Sequence, residues 1–374
     1  MKPPTSHAHA HIHTSIHKHT GLIMLDRPDA LNALTYDMCR AIKTTLSDWA
    51  EDDQVKQVVM YSDAPRGFCA GGDVRQIREM VLAENTPEET IKAADYFALE
   101  YSLNQMIAEY RKPVVVIAHG ITMGGGAGLL MNASDRIITD DIVFGMPETR
   151  IGHFPDVGAS RFLREGTRFG HFLALTGISI DYNDMLAEGL AYSYIKASDK
   201  AKVVEAICDY VPGEEEDSVF TSDIHTAYTP FLHEDYKGKL VTNANTTWLY
   251  HTLVLPRLSD VRDIAARARN PLGKPLYEAL TKNAPLSLHL THHLFDDRLM
   301  MVTDCEADAL RLDYILAKQM VALPDFAEGV RAVLVDKDNT PHWQHPNIDE
   351  VEYGVVEDMF PSLKYLKEKS DAYH

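Results

Sequence analysis

The sequence predicts an α/β fold with a substantially parallel sheet and a mostly helical C-terminal part. Three observations predict it. Short β-branched runs alternate with segments of helical periodicity through the first half of the chain, the pattern of strands joined by helical crossovers. "VKQVVMYSD" (Val55–Asp63) has the apolar density of a strand covered on both faces. Beyond about Tyr210 the strand-like runs give way to helical periodicity. The predicted organisation is a His-rich segment over 1–20, a strand-rich core over 21–210 and a mostly helical region over 211–374.

Each element has its own signal. "MKPPTSHAHAHIHTSIHKHT" carries His7, His9, His11, His13, His17 and His19 in near alternation. Two readings stay open for it: a transition-metal site, or the polar face of an edge strand preceding "GLIMLD" (Gly21–Asp26), itself a strand. The metal reading lacks any carboxylate or cysteine grouped with the imidazoles. "RPDALNAL" is a turn entering a helix on which Leu34, Met38, Ile42, Leu46 and Trp49 recur at helical spacing. After Val55–Asp63, the loop "APRGFCAGGD" opens another helix, with Asp73 placed to cap it. "PEETIKAADYFALEYSLNQMIAEYRK" reads as one long helix with a stripe of Leu99, Leu103, Met106 and Tyr110. The strand "PVVVIAHG", the glycine loop and a helix ending near "NASD" follow; then "RIITDDIVFG" runs into "MPETRIGHFPDVGAS". "VPGEEEDSVFTSDIHTAYTP" is acidic and loop-like. "CEADALRLDYILAKQMVA" is a helix with Ala309, Leu312, Ile315 and Leu316 on one side. No internal repeat is present.

Composition narrows the function classes. The 374 residues are 45% hydrophobic and 24% charged, the balance of a soluble globular enzyme. A net charge of −19 argues against a nucleic-acid footprint and against an anionic membrane surface. No apolar run approaches the roughly 20 residues that span a bilayer. The N-terminus has neither an apolar signal core nor an Arg-rich amphipathic pattern. Cys39, Cys69, Cys208 and Cys305 lie far apart without CxxC spacing and read as reduced thiols, so the expected location is cytoplasmic.

The chemistry is concentrated in two glycine-bearing loops, "FCAGGD" and "TMGGGAG", each following a strand and opening a helix. Free backbone N–H groups at a helix start favour developing negative charge. Two such groups converging from separate loops make an oxyanion hole, where one donor is worth about 3 kcal/mol. On this reading the glycines exist because a Cβ would block the reacting carbonyl. Either loop alone is better explained by a tight turn or close packing; the pair, followed by a carboxylate-bearing loop, points to function. Neither is a phosphate loop, since no GK[ST] follows, and neither has dinucleotide-type glycine spacing.

"GLIMLDRPDALNALTYDM", "GFCAGGDVRQI", "KPVVVIAHGITMGGGAGL" and "FGMPETRIGHFPDVGAS" resemble the crotonase (enoyl-CoA hydratase/isomerase) superfamily. Within it, "ITMGGGAGL", "MPETRIGHFPDVGAS" and "DFAEGVRAVLVDKDNTPHW" (Asp325–Trp343) resemble the 3-hydroxyisobutyryl-CoA hydrolase family. The similarity runs from about Gly21 to Val351. It implies the crotonase-like spiral of ββα units, with 21–210 as the catalytic core and 211–374 completing the site or an oligomer. It also implies a thioester oxygen held by two amides, which by motif position belong to Gly72 and Gly125. Glu148 and Asp156 are then the active carboxylates, and Glu100 a further substrate-contacting position.

Two departures are informative. Hydratases of the superfamily carry a second glutamate in the pattern GGGxE, where this chain has Gly128. Hydration uses two carboxylates to handle water and its proton, so the site is poorly equipped for it. The second acid instead stands at Asp156, eight residues after Glu148, as in the hydrolases. Asp29 follows the proline of "LDRPDALNAL", where many relatives carry a basic residue near the CoA nucleotide; Arg27 is the remaining candidate there.

The expected activity is hydrolysis of a 3-hydroxyacyl-CoA, with Glu148 attacking the thioester carbonyl or activating water, Asp156 binding the 3-hydroxyl or assisting water and the departing thiol, and Glu100 orienting the hydroxyl end. In isolation, Glu148 and Asp156 would read as a helix-start charge and a helix cap, and Glu100 as a solvated acid. His119 is expected to be a hydrogen-bonded core residue, His153 to line the acyl pocket, and Cys69 to be a small buried side chain. No GxSxG elbow is present. The alternatives are an enoyl-CoA hydratase or isomerase and a CoA-binding scaffold without catalysis; the −19 charge disfavours RNA binding. No metal or redox cofactor is implied, the partner is an acyl-CoA substrate, and the resemblance implies a homo-oligomer.

Overall fold

The computed structural model describes residues 7–9, 11–83, 92–210, 223–296 and 305–361. Residues 211–222 of the acidic stretch and 87–91 of the long helix lie outside the described residues. The chain forms two compact units, one gathering 1–72, 102–144 and 180–237, the other 73–101, 145–179 and 238–374.

The first unit is built on a seven-stranded sheet. Its strands are β1 (His7–His9), β2 (Ile12–His17), β3 (Thr20–Leu25), β4 (Gln57–Ser62), β5 (Val114–Ala118), β7 (Asp135–Thr139) and β9 (Tyr194–Ile195), in that spatial order. β1, β2 and β3 pair antiparallel; from β3 to β9 every pairing is parallel, with Leu22 opposite Val59, Val59 opposite Val115 and Ile117 opposite Ile137. The predicted parallel α/β architecture is therefore present. β5 is buried at all five positions, as its uninterrupted valines require. Val59, Val115, Ile117, Ile137 and Ile195 pack with Val203 and Ile207 of the helix Lys200–Asp209 to form one core cluster. A short second sheet pairs β6 (Ile121–Met123) with β8 (Val143–Gly145).

The histidine-rich stretch from His11 to His19 extends the sheet edge. Ile12 and Thr14 face inward while His13 and His17 are exposed, and His13 Nε2 meets Asp26 Oδ2 at 2.8 Å. Among the described residues no group of His, Cys, Asp and Glu is arranged to hold a metal. No described helix is long and apolar enough to cross a membrane.

Three local expectations are corrected. The first helix runs Tyr36–Ala50, capped by Thr35, whose Oγ1 accepts from the Met38 amide at 3.1 Å. Leu34 therefore precedes the helix and pairs instead with Gly72 as an isolated bridge. On the helix Ala93–Ala108 the buried positions include Tyr96, Phe97, Glu100, Tyr101, Leu103, Asn104 and Ile107, whereas Leu99 and Met106 are only partly buried. A stripe drawn through apolar residues missed this face because an acid, an amide and two tyrosines share it. On Glu306–Met320 the buried line includes Asp313 rather than Ile315.

The second unit is helical. Among its described elements are Val74–Ala83, Arg168–Thr176, Asn243–Leu253, Leu258–Arg267, Gly273–Lys282, Pro285–Leu294, Glu306–Met320 and Pro324–Val330.

Candidate active site

In the first unit the two glycine loops are zipped together by backbone hydrogen bonds. The Phe68 N–H donates to His119 O (2.7 Å), Cys69 N–H to Ile121 O (3.1 Å) and Met123 N–H to Cys69 O (3.0 Å). Leu34 N–H donates to Gly71 O at 2.8 Å, so its bridge to Gly72 does not use the Gly72 amide. Gly125 is the first residue of the helix Gly125–Met131, and its N–H has no intrahelical acceptor. A Cβ on Gly71 would lie 3.4 Å from the Gly125 nitrogen, which measures how closely the loops approach.

The glycine triplet is explained first by this packing. A Cβ on Gly126 would come within 2.3 Å of Cys69 O, and Gly124 has φ +49°. At these two positions the backbone of the neighbouring loop and the left-handed conformation already demand glycine, independently of any substrate. Cys69 and His119 are buried, and His119 Nε2 bonds Ala64 O at 2.8 Å; burial lowers the pKa of His119. Arg27, partly buried, braces its own turn, donating from its amide to Asn32 Oδ1 (2.7 Å) and from Nη1 to Ala33 O (2.9 Å).

The second unit gathers the carboxylates. Glu100, Glu148 and Asp156 are 3%, 7% and 4% exposed. Burial pushes the Glu100 carboxyl well above the ordinary range, and Asp156 adds to it. Glu148 is raised in the same way by burial, then by Asp156 and Glu100, against its own backbone amide, which lowers it. Among the described residues Glu100 Oε1 and Glu148 Oε2 have no hydrogen-bond partner. Burial that favours the protonated form of Glu100 and Glu148 marks the pair as candidates for acid–base work.

Glu148 opens the 3-10 turn Glu148–Ile151, closed by Gly152 at φ +73°. Thr149 Oγ1 donates to Leu175 O (3.1 Å), Ala284 N–H to Thr149 O (3.0 Å) and Arg150 Nη2 to Thr176 O (3.0 Å). The helix Pro324–Val330 closes on the same turn: a Cβ on Gly152 would lie 2.2 Å from Asp325 O, and one on Gly329 2.4 Å from the Ile151 carbonyl carbon. Asp156 precedes a left-handed pair, Val157 (φ +53°) and Gly158 (φ +86°). A β-branched residue there is strained.

Two residues that sequence reasoning passed over hold this corner. Tyr101 donates its hydroxyl to Asp156 Oδ2 at 2.5 Å. Asp313 Oδ2 accepts the Gly158 N–H at 2.8 Å from a fully buried position, and burial raises its carboxyl well above the usual range. The signal for Asp313 was available: it sits between Leu312 and Leu316 on the apolar face of its helix, where an unpaired acid is costly. His153 is enclosed by Phe97, Phe154 and Phe326, with Nε2 3.4 Å from Asp156 Oδ2.

Residues 20–360 match the family model described as enoyl-CoA hydratase/isomerase. The chain is 32% identical over 344 residues to the mitochondrial 3-hydroxyisobutyryl-CoA hydrolase of Gallus gallus, covering 92% of this chain and 86% of that protein. It is 34% identical to 3-hydroxyisobutyryl-CoA hydrolase 1 of Arabidopsis thaliana, over 92% of this chain and 89% of that one. A crystal structure of a carnitinyl-CoA dehydratase from Mycobacterium thermoresistibile matches with a TM-score of 0.83 at 27% identity, over 94% of this chain and 96% of the other.

Proposed function

Because the chain belongs to the enoyl-CoA hydratase/isomerase family with its crotonase fold, and within it to the 3-hydroxyisobutyryl-CoA hydrolases, we propose that it hydrolyses a 3-hydroxyacyl-CoA thioester, 3-hydroxyisobutyryl-CoA foremost. The observation that carries this reading is the grouping of Glu100, Glu148 and Asp156 as buried carboxyls, the last two on a segment that resembles the hydrolases.

In the proposed reaction the amides of Gly72 and Gly125 donate to the thioester oxygen as negative charge develops on it. Two routes are open to an ionised Glu148. It attacks the carbonyl carbon, forming a mixed anhydride and expelling the CoA thiolate, and water then cleaves the anhydride. Alternatively it takes a proton from water, whose oxygen attacks the carbonyl directly. Glu100 orients the hydroxyl end, and Asp156 either binds the 3-hydroxyl or assists the water and the leaving thiol. Arg27 is proposed toward the CoA phosphates. The scheme needs only amides and carboxyls, so chelation with EDTA is expected to leave the rate unchanged.

A free-thiol assay tests the reading. Wild type is expected to release CoA thiol from 3-hydroxyisobutyryl-CoA, and Glu148→Gln to lose about 100-fold or more of kcat. Unchanged kcat in that variant removes Glu148 from the chemistry. The second reading, an enoyl-CoA hydratase or isomerase, is favoured by the structural match to a carnitinyl-CoA dehydratase. It is opposed by Gly128 in the place of the hydratase glutamate. Loss of enoyl absorbance at constant thioester would establish it.

We read the compartment as cytoplasmic, on four cysteines none of which is in a disulfide. The Gallus gallus relative is a mitochondrial protein, and cell fractionation separates the two. A homo-oligomer is proposed with it, to be read from light scattering.

A further inference from the structure

His153 is 3% exposed, and neither ring nitrogen has a hydrogen-bond partner among the described residues. Buried polar atoms left unpaired cost stability, so an imidazole with two of them calls for a physical reason. The ring is held rigidly: it stacks on Phe97 (centroids 5.1 Å apart, planes at 26°), tilts against Phe154 at 4.7 Å and meets the edge of Phe326 at 5.8 Å. Its Nε2 is 3.4 Å from Asp156 Oδ2 without making a hydrogen bond. A tautomer with its proton on Nε2, on the side of Asp156 Oδ2, presents a lone pair on Nδ1. Glu100 Oε1 and Glu148 Oε2, in the same carboxyl cluster, are also unpaired.

We propose that His153 is a specificity-determining residue whose Nδ1 accepts the hydroxyl proton of the substrate's 3-hydroxyacyl group. The inference rests on the thioesterase reading above and adds a residue to it: with the hydroxyl proton given to Nδ1, Asp156 takes its other role there, assisting the water and the leaving thiol. A hydroxyl fills the vacant acceptor; an acyl group without one leaves it unpaired in an aromatic box. Sites built to pair a substrate hydroxyl reject the analogue lacking it strongly.

The test compares kcat/KM for 3-hydroxyisobutyryl-CoA with that for isobutyryl-CoA. His153→Leu keeps the apolar contacts without a lone pair, and His153→Asn places an amide oxygen near the Nδ1 position. The hydroxy-to-deoxy ratio is expected to fall by about ten-fold or more in His153→Leu, with isobutyryl-CoA turnover within about three-fold of wild type, and to recover in His153→Asn. Equal losses on both substrates, or an unchanged ratio, would overturn the role. If wild type cleaves neither thioester, the hydrolase reading fails. The same ratio taken from dissociation constants then decides His153 independently.

Discussion

Glu148 and Asp156 bear on each other through charge, and the direction of that coupling is testable. Asp156 raises the Glu148 carboxyl, so removing its charge lowers it. With ionised Glu148 as the active form, activity climbs with pH through that pKa. Asp156→Asn is therefore expected to move the acid limb of the kcat/KM profile to lower pH while lowering the plateau. A limb that stays in place would detach Glu148 from the profile. Glu100 makes a stability prediction. Its folded pKa is raised by burial and by Asp156, so above the ordinary carboxylate pKa the unfolded chain has lost a proton that the folded chain retains. Stability consequently falls as pH rises through that window. Glu100→Gln cannot titrate, and its melting temperature relative to wild type is expected to be higher at pH 8 than at pH 4.5. Calorimetry at the two pH values reads the difference.

At the scale of elements, helices fix the loops that bear the candidate site residues. The turn Glu148–Ile151 touches Pro324–Val330 backbone to backbone, which only glycine at 152 and 329 allows. Behind it, Arg331 pairs with Glu328, Asp336 and Asp338, and Arg78 Nε donates to Ala327 O at 2.9 Å, tying the helix Val74–Ala83 to the same support. Gly152→Ala meets both a left-handed φ and the Asp325 carbonyl, and is expected to cost about 1–3 kcal/mol with a drop in kcat larger than any change in KM. Chemical denaturation and steady-state kinetics check both halves. The element pattern was legible where periodicity is strong: β4 and β5 fall within two residues of their predicted bounds, and Met38, Ile42, Leu46 and Trp49 are all buried on the helix Tyr36–Ala50. It was not legible on Ala93–Ala108, because its buried face mixes Glu100, Tyr101 and Asn104 with apolar residues.

For the whole molecule, the excess of acid over base is the dominant surface property. With a net charge of −19 at pH 7 and an isoelectric point near 5.3, self-repulsion vanishes on mild acidification. Solubility is expected to be lowest near pH 5.3 and weak binding to heparin is expected at neutral pH; turbidity and a heparin column measure these. The chain passes between its two units five times, since each is assembled from three separate stretches. A fragment ending at 237 therefore lacks the helices that carry Asp313 and Asp325, both of which contact the 148–158 segment.

The sequence by itself determined the alternation of strands and helices, the parallel core and the positions of the acids, because side-chain periodicity and motif spacing are local properties. The family followed from the same local matches. Tertiary structure decided the rest: that Gly126 yields to Cys69 O, that Tyr101 and Asp313 hold the Asp156 corner, and that His153 stands unpaired among three phenyl rings. Each depends on which distant segments share a surface, and burial, not residue type, sets what a carboxyl or an imidazole there can do.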